Sequence, residues 1–359
     1  MGGVRVAYTL EQCWHDAPGG TAVAAIEVAR RLAPCREVTL VGVAGRHRAA
    51  PPPAWRSPIP IAQLPLPRPV LYESWLRARL PLVERVTGPV DVAHATGFVP
   101  CATRAPLVVT VHDLAWAHAP DRHTRQGHRV LRRSLDVTRD VAALVVTSSE
   151  ASRRDLAAHG IDDARLRVVP LGVDEPRATP GEVAEVRAAY DLPSRFVLFV
   201  GTLEPRKNLR RLATAMARLE VATPLVVAGP TGWGDVAAGV DGDVRFVGFV
   251  PAAHKRALFA AAEVVAYPSE FEGFGLPVLE AMAQGTPVVT SRGTSTEEVA
   301  GGAAVLVDPY DVDAIAAGID DAVQRADELA DLGARRAAAM SWDASARATL
   351  EIYREAARG

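Results

Sequence analysis

The sequence predicts an α/β protein made of two doubly wound domains. Three observations carry that prediction. Short β-branched runs alternate with helical segments in two separate series. A polar stretch with two prolines, Gly172–Pro180, parts the series. The length, 359 residues, exceeds one ordinary core and suits two.

The first series opens with Val4–Leu10, read as a buried strand. Gly19-Gly20 follows a loop, and Thr21–Leu32 then shows helical periodicity with Ala, Ile and Val on one side. Val38–Val43 is another apolar β-branched run, so the order is strand, helix, strand, as in a parallel sheet with crossover helices. Pro51–Pro69 contains eight prolines and reads as an extended surface loop. Val90–His94, Leu107–His112 and Leu144–Ser148 are further strands, with a helix over Arg122–Arg139 between the last two. The second series holds strands at Phe196–Val200, Leu225–Ala228, Val244–Val247, Val264–Tyr267 and Pro287–Thr290. Helices at Leu209–Leu219, Ala253–Ala262 and Val278–Gln284 separate them. Ser341–Gly359 reads as a final helix. The expected organisation is a first domain over 1–172, a second over 173–340 and the closing helix over 341–359. Ligands of such sheets sit at the carboxyl ends of the strands, here in a cleft between the domains.

Composition narrows the class. Hydrophobic residues make up 49%, enough for both cores, and a net charge of -2 gives no reason to expect a nucleic-acid partner. Three cysteines (Cys13, Cys35, Cys101) show neither metal nor redox spacing, which points to reduced thiols in the cytoplasm. Residues 1–10 lack a signal-peptide pattern, and no apolar stretch of about 18 residues exists to span a membrane. Peripheral contact at the inner membrane face stays open.

The most informative pair is Glu272 and Glu280, in the run Glu-Gly-Phe-Gly-Leu-Pro-Val-Leu-Glu. Pro277 suits the first turn of a helix, where a missing N–H costs nothing. Glu280 is expected in that turn, with Glu272 on the loop before it. The N–H groups of Gly273, Phe274, Gly275 and Leu276 then face whatever occupies the helix N-terminus: an anion site with a carboxylate on each side. A phosphate carrying hydroxyl-rich groups fits it, and a sugar nucleotide has both parts. Gly201–Leu209 follows a strand and precedes a helix, placing Arg206 and Lys207 at a strand's carboxyl end. Two adjacent cations there can neutralise a diphosphate leaving group; a solvated basic turn is the plain alternative. His112-Asp113 closes a strand of the first sheet, where cap and loop hydrogen bonds compete with a functional role. Gly19-Gly20 lets backbone approach a ligand, although a tight turn explains it equally. The dinucleotide fingerprint Gly-x-Gly-x-x-Gly is absent here, which counts against a nicotinamide enzyme. Trp14, His15 and Asp16 are candidates for lining an acceptor pocket. Arg122–Arg139 holds six arginines with His123 and His128 among them, either a solvated helix face or a contact for an anionic acceptor or membrane surface.

On these motifs the chain resembles glycosyltransferase family 4. The resemblance rests on Gly201–Leu209, Gly248–Pro251, Pro268–Val289 and Glu298–Pro309, with Val109–Leu114 and Ser341–Ala356 similar to members that use GDP-mannose or related donors. It implies the GT-B fold: two Rossmann-like domains facing each other, the last helix crossing back onto the first. It implies transfer of a sugar from a nucleotide donor to a hydroxyl acceptor, with retention of anomeric configuration and no required metal or cofactor. By the family pattern Glu272 holds donor-sugar hydroxyls and Glu280 the ribose. Arg206 and Lys207 bind the diphosphate, and His112 sits near the reacting carbon. Gly248, Phe249 and Val250 approach the base. Gly201, Gly19 and Gly20 belong to the donor-binding set, and Glu298 matches a family glutamate. Two departures stand out. Thr21, Ala22 and Val23 follow the first Gly-Gly where a further Gly and an Arg are frequent. Arg292 stands where an Asn is common.

Rival readings keep the same fold. A phosphorylase-like or epimerase-like GT-B protein is one, the former needing a lysine for pyridoxal phosphate. Apart from Lys207 the only lysine is Lys255, whose neighbours read as a helix surface. A binding or scaffold protein that lost activity is the other.

Overall fold

The computed structural model describes residues 3–15, 19–118, 125–232 and 240–359. They form two compact units. One comprises residues 1–171 together with 342–359, and the other comprises 172–341.

In the first unit the strands are β1 (Val4–Thr9), β2 (Val38–Ala44), β3 (Ile61–Gln63), β4 (Val92–Ala95), β5 (Leu107–Thr110), β6 (Leu144–Thr147) and β7 (Leu166–Val168). The helices are α1 (Gly19–Leu32), α2 (Arg68–Arg77), α3 (Glu84–Thr87), α4 (Ala115–His118), α5 (Arg125–Val141) and α6 (Glu150–Ala158). Among the described residues the sheet has seven strands, all parallel, in the order β3-β2-β1-β4-β5-β6-β7. The strands read as unbroken apolar runs because both faces are covered. Helix α1 buries Ala22, Ala25, Ile26, Ala29 and Leu32, a stripe spaced three and four residues apart.

The second unit starts with α7 (Pro180–Ala189), capped by a Thr179–Glu182 capping box. Its strands are β8 (Val197–Val200), β9 (Leu225–Ala228), β10 (Val244–Gly248), β11 (Val264–Tyr267), β12 (Val288–Ser291) and β13 (Val305–Val307). Its helices continue as α8 (Leu209–Met216), α9 (Ala252–Ala261), α10 (Leu276–Gln284), α11 (Ser295–Ala300), α12 (Val312–Gln324) and α13 (Ala326–Ala338). The order β10-β9-β8-β11-β12-β13 is again all parallel. The last helix, α14 (Trp342–Ala356), packs on α1 in the first unit. His94 anchors it: one ring nitrogen pairs with the Tyr353 hydroxyl and the other with Thr110 Oγ1, each at 2.7 Å. Burial beside His112 lowers the His94 pKa to about 3, so the ring is neutral at pH 7.

The structure departs from the sequence expectation in several elements. The proline-rich stretch is not only loop. Ile61–Gln63 pairs with β2 as an edge strand, and Pro69 falls in the first turn of α2. Pro69 is tolerated in a first helical turn and β3 holds no proline itself, but the density of prolines around them hid both elements. The helix from Leu209 ends at Met216 rather than Leu219. The strands β7 and β13 are three residues long, too short to show a period.

Candidate active site

In the second sheet the order reverses between β8 and β11. Ligands of open α/β sheets bind at the carboxyl ends of the strands at such a reversal. The loop leaving β8 carries Arg206 and Lys207, and the loop leaving β11 carries Glu272. These three residues come together. Lys207 donates to Glu272 Oε1 at 2.5 Å, and Arg206 donates from Nη1 to Glu272 Oε2 at 2.8 Å. Arg206 also donates to Phe271 O at 3.0 Å and, through Nε, to Glu204 at 2.8 Å. The Lys207 ammonium donates to the Tyr267 hydroxyl as well and lies 4.9 Å from its ring centroid. Both Glu272 and Lys207 are 7% exposed.

The electrostatics follow from that burial. Burial alone would raise the Glu272 carboxyl, but Arg206 and Lys207 outweigh it and hold the pKa at about 2. Glu272 is therefore a carboxylate with a cation on each oxygen. For Lys207, burial lowers the pKa, and the Glu272 charge offsets this only in part. Burial and the Glu272 charge push the Tyr267 hydroxyl well above the usual range, so it is a neutral phenol.

Helix α10 begins beside this cluster. Gly275 is its N-cap at φ +106, a left-handed conformation, and a Cβ there would lie 2.7 Å from Thr296 Cγ2. Gly275 and Leu276 stand at the N-cap and first position, where no intrahelical acceptor exists for the N–H. Gly273 and Phe274 are buried in the loop just before. Pro277 is in the first turn, as the sequence indicates. Glu280 is not: it lies one turn further along, because the helix starts at Leu276. It is ion-paired with Lys255 Nζ at 2.5 Å. Lys255 is thus paired with Glu280 rather than standing on a bare helix surface. Burial disfavours its charge, yet Glu280, with the Glu175 charge added, outweighs this and raises its pKa.

Gly201, Gly229 and Gly248 lie at the ends of β8, β9 and β10. Gly201 donates to Ala228 O at 2.9 Å, and Gly229 donates to Gly248 O at 2.8 Å. The strand ends of β8, β9 and β10 are thereby tied edge to edge. Gly248 has φ +70 with open space where a Cβ would stand. Phe249 beside it is 65% exposed, while Val250 is buried.

In the first unit His112 follows β5. Its Nε2 is buried without a hydrogen-bond partner among the described residues, and its ring lines a pocket with His94, Thr96, Thr110 and Thr147. Burial lowers its pKa, against the pull of Asp113. Asp113 accepts from Ala115 N at 3.0 Å at the start of α4, the cap-like role. Trp14 stacks on His47 at 4.2 Å and donates to Ala49 O at 2.8 Å, so its ring is committed to the loop. His15 is half-buried. Gly19 and Gly20 open α1, exposed, with Gly19 at φ +59. In α5, Arg133 donates to Leu76 O at 3.1 Å, Arg129 lies 3.9 Å from Glu73, and Arg139 pairs with Asp136. Asp16, Arg122 and His123 lie outside the described residues. Glu298 is half-buried in α11, its carbonyl accepting from Arg336 at 2.7 Å. Arg292 is exposed and donates to Leu306 O at 3.3 Å.

Sequence reasoning missed the residues that brace the Glu272 loop. Asn208, in the left-handed region at φ 63, donates to Pro268 O at 3.0 Å and Pro309 O at 2.6 Å. Ser291 donates to Ser269 O at 2.6 Å, and the Ser295 hydroxyl to Glu272 O at 2.7 Å. Asn208 follows Lys207 directly, so a residue tolerant of positive φ was its only local signal. Among the described residues no His, Cys, Asp and Glu group is arranged to hold a metal ion, and no helix is long and apolar enough to cross a membrane.

Two all-parallel doubly wound sheets, the second gathering cations at its reversal point, define a two-domain α/β protein of the GT-B kind. A family profile described as Glycosyl transferases group 1 matches residues 186–338, and one described as Glycosyltransferase Family 4 matches residues 18–177. O-antigen chain mannosyltransferase B of Escherichia coli is 36% identical over 265 residues, 69% of this chain and 70% of that protein. The MMP alpha-(1->4)-mannosyltransferase of Mycolicibacterium hassiacum is 32% identical over 314 residues, 78% of this chain and 74% of that protein. Among solved structures, Anabaena HepE in complex with UDP and glucose is similar at a TM-score of 0.75 and 19% identity, covering 98% of this chain and 100% of that one. The chain belongs to glycosyltransferase family 4, and it is a glycosyltransferase with the GT-B fold.

Proposed function

We propose that this glycosyltransferase moves a hexosyl group, mannose by preference, from a nucleoside-diphosphate sugar to a hydroxyl acceptor, with retention of configuration and without a metal ion. The observation that carries the reading is the Arg206–Lys207–Glu272 cluster at the β8/β11 reversal, beside the N-terminus of α10. The second unit binds the donor and the first the acceptor. Arg206, Lys207 and the first amides of α10 stabilise the charge that develops on the leaving diphosphate. Glu272, held ionised, accepts hydroxyls of the donor sugar, and Glu280 accepts those of the ribose. The acceptor oxygen attacks the anomeric carbon from the face the diphosphate leaves, and a phosphate oxygen takes its proton. Glu272 is a poor covalent nucleophile because both its oxygens are engaged by cations. The first unit's candidate is His112, whose buried, unpartnered Nε2 gains a hydrogen bond from a bound hydroxyl. The mannosyl preference rests on the names of the relatives.

Both lysines are ion-paired with glutamates, which argues against a pyridoxal-phosphate enzyme. A thermal-shift screen against GDP-, UDP-, ADP- and dTDP-sugars tests the donor: at 100 times its dissociation constant the right one adds about 2.7 kcal/mol. Arg206→Ala lowers transfer by roughly 10²–10³-fold, the scale of losing one donor to a developing anion. Full transfer with unchanged donor affinity in that variant overturns the leaving-group role. NMR of the product's anomeric centre tests retention, and activity in excess chelator tests independence from metal.

A further inference from the structure

Lysine is rare in this chain. Of its 40 Lys and Arg residues only Lys207 and Lys255 are lysines. Each is ion-paired with one member of the Glu272/Glu280 pair. The first pairing belongs to the diphosphate site; the second has no place in it. Lys255 lies in the first turn of α9, packed against α10, and donates to Glu280 Oε1 at 2.5 Å. Glu280 Oε2 has no hydrogen bond among the described residues. The carboxylate is thus held by one oxygen while the other stays available as an acceptor. A glutamate has several rotamers, and an acceptor fixed in one of them loses less entropy when a hydroxyl docks. An ammonium suits this duty: it is a compact charge that grips one oxygen, whereas a guanidinium fork tends to take both.

We propose that Lys255 is a positioning residue for donor recognition, fixing the Glu280 carboxylate so that its second oxygen accepts from the ribose diol. The proposal rests on the donor-site reading above and adds the residue that sets ribose discrimination. Its neighbour Arg256 pairs with Glu182 instead and serves as a control from the same helix.

The test is calorimetry with GDP, UDP or ADP, whichever binds the wild-type chain most tightly, and with the 2′,3′-dideoxy analogue of the same nucleotide. The wild-type chain prefers the ribonucleotide. Lys255→Met weakens the ribonucleotide about tenfold, the loss expected for one misplaced charge-assisted hydrogen bond, and leaves the dideoxy analogue nearly unchanged. Glu280→Gln removes the same preference, and adding Lys255→Met to it changes little further, because the two residues act as one unit. Lys255→Arg retains part of the preference, and Arg256→Met retains all of it. Equal weakening of both nucleotides by Lys255→Met, or additive losses in the double variant, shows a merely structural ion pair and overturns the proposal. A wild-type chain that binds none of GDP, UDP, ADP and dTDP refutes the donor-site reading itself, and this proposal with it.

Discussion

Replacing Glu272 by Gln removes the one carboxylate that touches both Arg206 and Lys207 while keeping its shape. Two consequences follow with opposite signs. In the empty protein Lys207 loses its buried counter-charge, while Arg206 keeps Glu204. Breaking a buried pair from one side costs about 3–5 kcal/mol; the amide keeps a hydrogen bond, so the lower end, about 3 kcal/mol, applies. For a unit of this size that lowers the melting temperature by roughly 6–12 °C. With a nucleoside diphosphate present, the phosphates supply the missing charge. A phosphate oxygen sharing the ammonium with Glu272 would sit about 5 Å from the carboxylate oxygen, since each leg of that bridge is about 3 Å and the two meet near the tetrahedral angle. Removing repulsion at about 5 Å with an effective dielectric of about 20–40 is worth about 1.7–3.3 kcal/mol, roughly twentyfold to three-hundredfold in affinity. The variant is therefore less stable when empty, binds nucleoside diphosphate more tightly, and transfers sugar more slowly because a hydroxyl acceptor is lost. Melting curves with and without GDP or UDP, calorimetry and a transfer assay read all three. An unchanged melting temperature together with weaker diphosphate binding refutes the reasoning.

Three further expectations follow. The folded pKa of Glu272, about 2, lies below its unfolded value, so its stabilisation is present above pH 5 and lost as pH falls towards 2; the acid arm of a stability–pH curve flattens in Glu272→Gln. Lys207 is needed as a cation and its pKa is lowered, so transfer declines on the alkaline side earlier than an ordinary lysine allows. Lys207→Arg removes that limb from the pH–rate profile, because a guanidinium stays charged. Gly229 sits at φ +150, and a Cβ there would fall 1.9 Å from Gly201 O; Gly229→Ala costs more than about 3 kcal/mol by melting and weakens nucleotide binding.

The core strands and long helices were legible because their apolar runs are unbroken or repeat at helical spacing, as in Leu225–Ala228 and α1. The Arg206–Lys207–Glu272 cluster was legible in part: Arg206 and Lys207 could be placed at a strand's carboxyl end and Glu272 on the loop before a helix, but that they bond to one another depends on the reversal of order between β8 and β11. Glu280 was read one turn too early because Pro277 marks a first turn without saying which of its positions the proline takes. Lys255 was read as surface because helical spacing from Ala252 cannot show which helix packs against it. Asn208, Ser291 and Ser295 escaped because they act on the carbonyls of a loop distant in sequence. The first unit's candidates stand apart by type: His112 keeps a nitrogen without a partner among the described residues, whereas Asp113 and Trp14 are consumed by local bonds.

A structure of the chain with a bound nucleoside diphosphate tests the central claim most directly. The account predicts the β-phosphate within about 3 Å of Lys207 Nζ, the Arg206 guanidinium and an amide at the start of α10, with the ribose at Glu280. A diphosphate seated away from the β8/β11 reversal, with Arg206 and Lys207 still closed on Glu272, contradicts it.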